Sequence, residues 1–89
     1  MTWQDEHSNA ILPALGKPQL KLERGNGAYV WDSEGVRYLD FLAGIAVNSL
    51  GHAHPDLAKA VSNQMLTLGH ISNYFASDPQ IELAHALLK

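Results

Sequence analysis

The sequence predicts an α+β segment: a three-strand antiparallel meander followed by helices. Two observations carry this. Between residues 20 and 41, short β-rich stretches, one of them alternating apolar and charged residues, are separated by turn-forming residues. From residue 55 onward, two stretches place apolar residues at helical spacing, and each opens on a start signal containing proline.

Residues 1–18 read as an irregular lead-in, because Pro13, Gly16 and Pro18 interrupt any regular element. Leu20 and Leu22 then alternate with Lys21 and Glu23, the pattern of a first strand. Gly25-Asn26-Gly27 is a turn signal. Residues 28–31 form the second strand, with Tyr29 and Trp31 on one face. Asp32-Ser33-Glu34-Gly35 opens on aspartate and closes on glycine, as a type I turn does, and residues 36–41 return as the third strand. Residues 42–53 are small and apolar, and periodicity does not decide their structure. Gly44 and Gly51 there point to close backbone approach.

The first long helix starts at Pro55, where the missing N–H is harmless, and Asp56 suits the positive end of the helix dipole. Leu57, Val61, Met65 and Leu68 lie on one face, and Gly69 is the expected C-cap. Asp78-Pro79 repeats the start chemistry, and Ser77 with Gln80 fits a capping box. Ile81, Ala84 and Leu88 form a stripe that Leu83 and Leu87 widen. No stop signal follows, so the helix reads as interrupted and the chain as a piece of something longer.

At 89 residues the chain makes at most one small domain, with no cysteine to staple it. Burial against more chain or another subunit is therefore expected. A net charge of −3 and six basic residues spread singly argue against nucleic acid. The N-terminus carries acids and no apolar run, so it is not a signal peptide, and no run reaches membrane-spanning length. A cytoplasmic location is the default.

Few residues suggest chemistry by themselves. His52 and His54 flank Ala53, which reads either as a metal pair or as a turn whose histidines bond to backbone. Zinc needs three or four ligands, and His70 and His85 lack a zinc spacing, so no metal site is assigned. Gly25-Asn26-Gly27 lacks the full pattern and the following helix of a phosphate loop. Asp32 and Glu34 fall in a turn, solvated or turn-forming, and Asp40 sits on a strand where partial burial is expected. Asn48 is either a buried amide holding loop backbone or a ligand contact. Asn73-Tyr74-Phe75 is an aromatic loop between helices, either anchoring a core or lining a pocket. No nucleophile–base pair is readable.

From Arg24 onward, RGNGAYVWDSEGVRYLDFLAGIAVNSLGHAHP resembles the acetylornithine aminotransferase motif RGxGxYVWDxxGxxYLDFxAGIAVNxLGHxHP. GHISNYFASDPQIELAHALL resembles the motif that follows it, HxSNxFxxxPQxxLAxxL. The resemblance is to the class-III aminotransferases and, through AGIAVNSLGH and HISN, to the acetylornithine branch. It implies a pyridoxal 5'-phosphate-dependent, fold-type I homodimer, α/β overall, whose small domain is built from both chain ends. Residues 19–89 would then be an N-terminal small-domain segment running towards a large cofactor-binding domain. The implied reaction moves the terminal amino group of N-acetylornithine to 2-oxoglutarate in arginine biosynthesis.

In that family the cofactor-binding lysine, the acidic partner of the ring nitrogen, the phosphate cup and the carboxylate-binding arginine all lie further along than Lys89. No catalytic or cofactor-binding residue is therefore assigned in this chain, which alone is expected to be inactive. Carried over by motif, Ile45, Val47, Asn48, Asn73 and Phe75 are the expected substrate-pocket lining. Relatives acting on free ornithine carry tyrosines near positions 45 and 76, where this chain has Ile45 and Ala76. The alternatives are another class-III aminotransferase (succinylornithine, ornithine or 4-aminobutyrate) and a non-catalytic truncated interaction module.

Overall fold

A computed structural model describes all residues, 1–89, which fall into two units, Met1–Pro55 and Asp56–Lys89. The first unit opens with a helix, α1 (Trp3–Ala10), inside the stretch expected to be irregular. The cause is a capping box: Asp5 N donates to Thr2 Oγ1 and Thr2 N donates to Asp5 Oδ2, each at 3.2 Å. Pro13, Gly16 and Pro18 all lie after this helix, so they do not interrupt it.

The meander follows as an antiparallel sheet in the order β1 (Leu22–Asn26), β2 (Tyr29–Asp32), β3 (Arg37–Leu39). Its first hairpin is tighter than the sequence suggested. Gly25 and Asn26 belong to β1, Asn26 pairs with Tyr29, and the loop is Gly27-Ala28, with Gly27 at φ +59°. Glycine at the first position of a two-residue loop supplies the twist that joins the strands. β1 also starts later than Leu20, and an irregularity between Leu22 and Arg24 leaves Glu23 unmatched, as a bulge does. β3 stops at Leu39, leaving Phe41 outside and exposed.

One face of β2 carries Tyr29 and Trp31, as the alternation predicts. Arg37 stacks over Tyr29 at 4.5 Å, and Arg24 over Trp31 at 3.8 Å. The other face holds the chain's only buried side chains, Val30 at 7% exposure and Asp32 at 8%. Asp32 is not solvated. Its Oδ1 accepts from the amides of Glu34 and Val36, both at 2.9 Å, and its Oδ2 accepts from Tyr38 Oη–H at 2.9 Å. That satisfies the buried carboxylate and shapes the β2–β3 turn, where Gly35 takes a φ of +81°.

After β3 comes a single helical turn, α2 (Ala43–Ala46), and it is left-handed. Its four residues have φ of 51°, 65°, 77° and 61°. Only Gly44 suits that region, since left-handed backbone costs an L-residue about 1–2 kcal/mol. Local bonds offset part of this: Leu42 O accepts from Ile45 N and Ala46 N, both at 2.8 Å, and Ala43 O accepts from Val47 N at 2.9 Å.

The second unit carries the two predicted long helices, α3 (Pro55–Thr67, begun on the first unit's last residue) and α4 (Asp78–Leu87). Their ends differ from expectation. Gly69 does not take the left-handed cap conformation; instead Gln64 Nε2 donates to Leu68 O at 2.9 Å. Ser77 caps α4 with extended backbone, but its side chain makes no cap bond, so the box with Gln80 does not form. α3 and α4 do not pack on each other, and Leu57, Val61, Met65, Ile81, Leu83 and Leu87 are all exposed. No helix is long and apolar enough to cross a membrane.

Candidate functional site

Two glycines of the hairpin tip build the first unit's site. His52 forms an antiparallel bridge with Gly27: Gly27 N donates to His52 O at 2.9 Å, and His52 N donates to Gly27 O at 2.8 Å. The approach is too close for side chains. A Cβ on Gly51 would lie 2.7 Å from Gly27 O, and one on Gly25 would lie 2.6 Å from His52 Cγ. Close approach at Gly51 was legible in the sequence; the role of Gly25 was not, because it read as part of a turn.

This bridge aims the His52 ring at Asp40. Nε2–H donates to Asp40 Oδ2 at 2.6 Å, while Asp40 Oδ1 accepts from Ala43 N at 2.9 Å. The bond from His52 comes first among the causes that hold the Asp40 carboxyl below its ordinary range and the Ala43 amide second, while burial pushes the other way. The His52 ring therefore does not bond to backbone as the turn reading had it. The His52 ring bonds to a carboxylate twelve residues earlier, and only its backbone serves the turn. Asp40 is part-buried, as expected of it, but it lies just past the end of β3 rather than on the strand. The pair is what residue reasoning missed, although both halves had been singled out.

Asp40, His52, Gly27, Ala43 and Asn48 bound a cavity of about 310 Å³. Asn48 is exposed rather than buried. Its backbone holds the loop, donating to Ala43 O at 3.1 Å and accepting from Gly51 N at 3.0 Å, while its amide lies against Gly44. Ile45 stands on the left-handed turn at 78% exposure, with Val47 just after it and also exposed. Of these three expected pocket residues only Ile45 has left-handed backbone; Val47 and Asn48 follow the turn directly.

The other two lie in the second unit. Asn73 and Phe75 occupy the turn between α3 and α4, where Ser72 takes a φ of +69° and accepts from Phe75 N at 3.4 Å. Phe75 and Tyr74 are exposed, so neither anchors a core within this chain. Every non-glycine residue with positive φ is Ser72 or falls within 43–53. Backbone strain of this kind concentrates at ligand-contacting segments.

Over residues 13–89 the sequence matches the aminotransferase class-III family. It is 55% identical over 87 residues to the acetylornithine aminotransferase of Bifidobacterium longum, covering 98% of this chain and 20% of that protein. The crystal structure of N-acetylornithine aminotransferase from Stenotrophomonas maltophilia superposes with a TM-score of 0.78 at 43% identity, covering 93% of this chain and 21% of that one. The acetylornithine aminotransferase of Elizabethkingia anophelis superposes at 0.89 with 27% identity, covering 96% and 21%. The chain spans about a fifth of the length of these relatives.

Proposed function

The chain belongs to the class-III aminotransferases, and from that membership we propose that its 89 residues are the N-terminal part of an acetylornithine aminotransferase. The intact enzyme would move the terminal amino group of N-acetylornithine to 2-oxoglutarate, in the cytoplasm, as a homodimer. The observation that carries this reading is the 55% identity to a protein of that name, sustained over 98% of the chain.

Pyridoxal 5'-phosphate, when bound, would supply the electron sink for such a reaction. The residues present do not make its site. Lys17, Lys21, Lys59 and Lys89 are all exposed, and Lys21 lies 3.9 Å from Glu23. A lysine that condenses with a carbonyl is activated instead by an apolar pocket or a neighbouring cation. The cofactor is accordingly assigned to the rest of the polypeptide. The contribution of this segment is to shape the substrate side. In the first unit the lining is Ile45 on the left-handed turn with Val47 and Asn48 directly after it, and in the second unit it is Asn73 and Phe75 on the loop before α4. Isoleucine at position 45 offers an apolar surface suited to an acylated amine rather than a second free ammonium.

The test is a donor profile of the full-length protein with 2-oxoglutarate as acceptor. Glutamate formation should show the highest kcat/KM with N-acetylornithine. A preference of about tenfold or more for ornithine or 4-aminobutyrate would overturn the assignment.

A further inference from the structure

The left-handed turn is anchored from one side. Ala43 N, its first amide, donates to Asp40 Oδ1 at 2.9 Å, and Asp40 Oδ2 accepts from His52 Nε2–H at 2.6 Å. Both partners are themselves fixed to the tip of the first hairpin. Asp40 N donates to Ala28 O at 2.7 Å, and His52 shares two backbone bonds with Gly27. The His52 ring also covers Gly25 too closely for any side chain there. Strained backbone persists only where its surroundings over-determine it. Ile45, a β-branched residue at φ +77°, is the most strained member of the turn, and it is the turn's one large apolar side chain, 78% exposed.

We propose that Asp40 and His52 are positioning residues of the aminotransferase: their clasp holds Ala43–Ala46 in its left-handed form and thereby fixes where Ile45 meets the amino donor. This rests on the reading that Ile45 lines the substrate side of the pocket. Neither residue touches the reacting atoms. Each acts through the turn, so the loss of either should appear in donor binding rather than in turnover.

The experiment uses the full-length protein with its cofactor bound and, as donor, whichever amine the wild type uses best. Asp40→Ala removes both bonds and should raise the donor KM about tenfold, with kcat within about twofold of wild type. His52→Ala should move KM in the same direction by less, because Asp40 keeps its bond to Ala43. Asp40→Asn retains an oxygen for the Ala43 amide and an N–H for a ring protonated at Nδ1, so it should return KM to within about threefold of wild type. An Asp40→Ala protein with normal cofactor absorbance and unchanged KM overturns the proposal, as does Asp40→Asn being as impaired as Asp40→Ala. Should Asp40→Ala fail to fold, an unchanged KM in His52→Ala overturns it instead. A wrong substrate assignment would show in the wild-type donor profile alone, whereas failed positioning shows only in the variants.

Discussion

Gly51 and Gly35 both hold positive φ, +74° and +81°, but their surroundings differ. A Cβ at Gly51 would meet Gly27 O at 2.7 Å and Gly27 C at 2.8 Å, whereas one at Gly35 would meet nothing within 4 Å. Gly35→Ala therefore carries only the conformational cost of left-handed backbone, about 1–2 kcal/mol. Gly51→Ala adds overpacking against backbone that cannot swing aside, about 1–3 kcal/mol more. Chemical denaturation of the two variants in the full-length protein should rank Gly51→Ala as clearly the more destabilised. Equal losses would mean that the Gly27–His52 bridge opens to admit the methyl group. The sequence placed both glycines correctly, one closing a turn and one at a close approach. It placed Gly25 wrongly, because glycine in a strand and glycine in a turn look alike until the residue packed over it is known.

The β2–β3 hairpin is held by one carboxylate. The Val36 amide leads in keeping Asp32 below the ordinary carboxylate range, with Tyr38 and Glu34 helping and burial opposing. The bond to Asp32 in turn pushes the Tyr38 phenol up. For Asp32 the sign is that of a depressed acid: its contribution is complete above the unfolded value, about 4, and is lost as pH falls through the lowered native value. For Tyr38 the contribution is complete below about 10 and is lost as pH rises through the raised value. Tyr38→Phe deletes one donor to the carboxylate, so the Asp32 titration should move to higher pH while Asp40, on its own donors, stays in place. Carboxyl-carbon NMR titration of the two aspartates reads this directly, and an Asp32 midpoint unmoved by Tyr38→Phe would show that the phenol contributes nothing. The meander was legible because alternation and turn chemistry agree from residue 28 to 39. α1 departs from the irregular lead-in because its Thr2–Asp5 box starts a helix that ends at Ala10, before Pro13, Gly16 and Pro18 can interrupt it. The left-handed turn was not legible at all. A run of small apolar residues carries no period, and its conformation depends on Asp40 and His52, which lie on either side of it.

At the scale of the whole chain, the family was legible from two long motifs, whereas a pocket was not legible from residue chemistry, since its expected lining consists of ordinary apolar residues and amides. The same composition governs stability. Val30 is the only buried apolar residue, and the apolar stripes of α3 and α4 face solvent. Each exposed stripe forgoes about 25 cal/mol per Å² that burial would contribute, while ordering each residue still costs about 1–2 kcal/mol. α3 has 13 residues and α4 has 10, and isolated helices of about 12–15 residues or fewer are marginal in water even with favourable sequences. The 89 residues expressed alone should therefore show less helix by circular dichroism than the fold described here. They should also bind a hydrophobic dye such as ANS and melt over a broad range without a cooperative transition. Within the full-length protein the same helices should be protected from amide exchange, because their stripes are then covered. A sharp two-state melt of the isolated chain, without dye binding, would show instead that the segment finds its own core, by self-association or by repacking of α3 and α4.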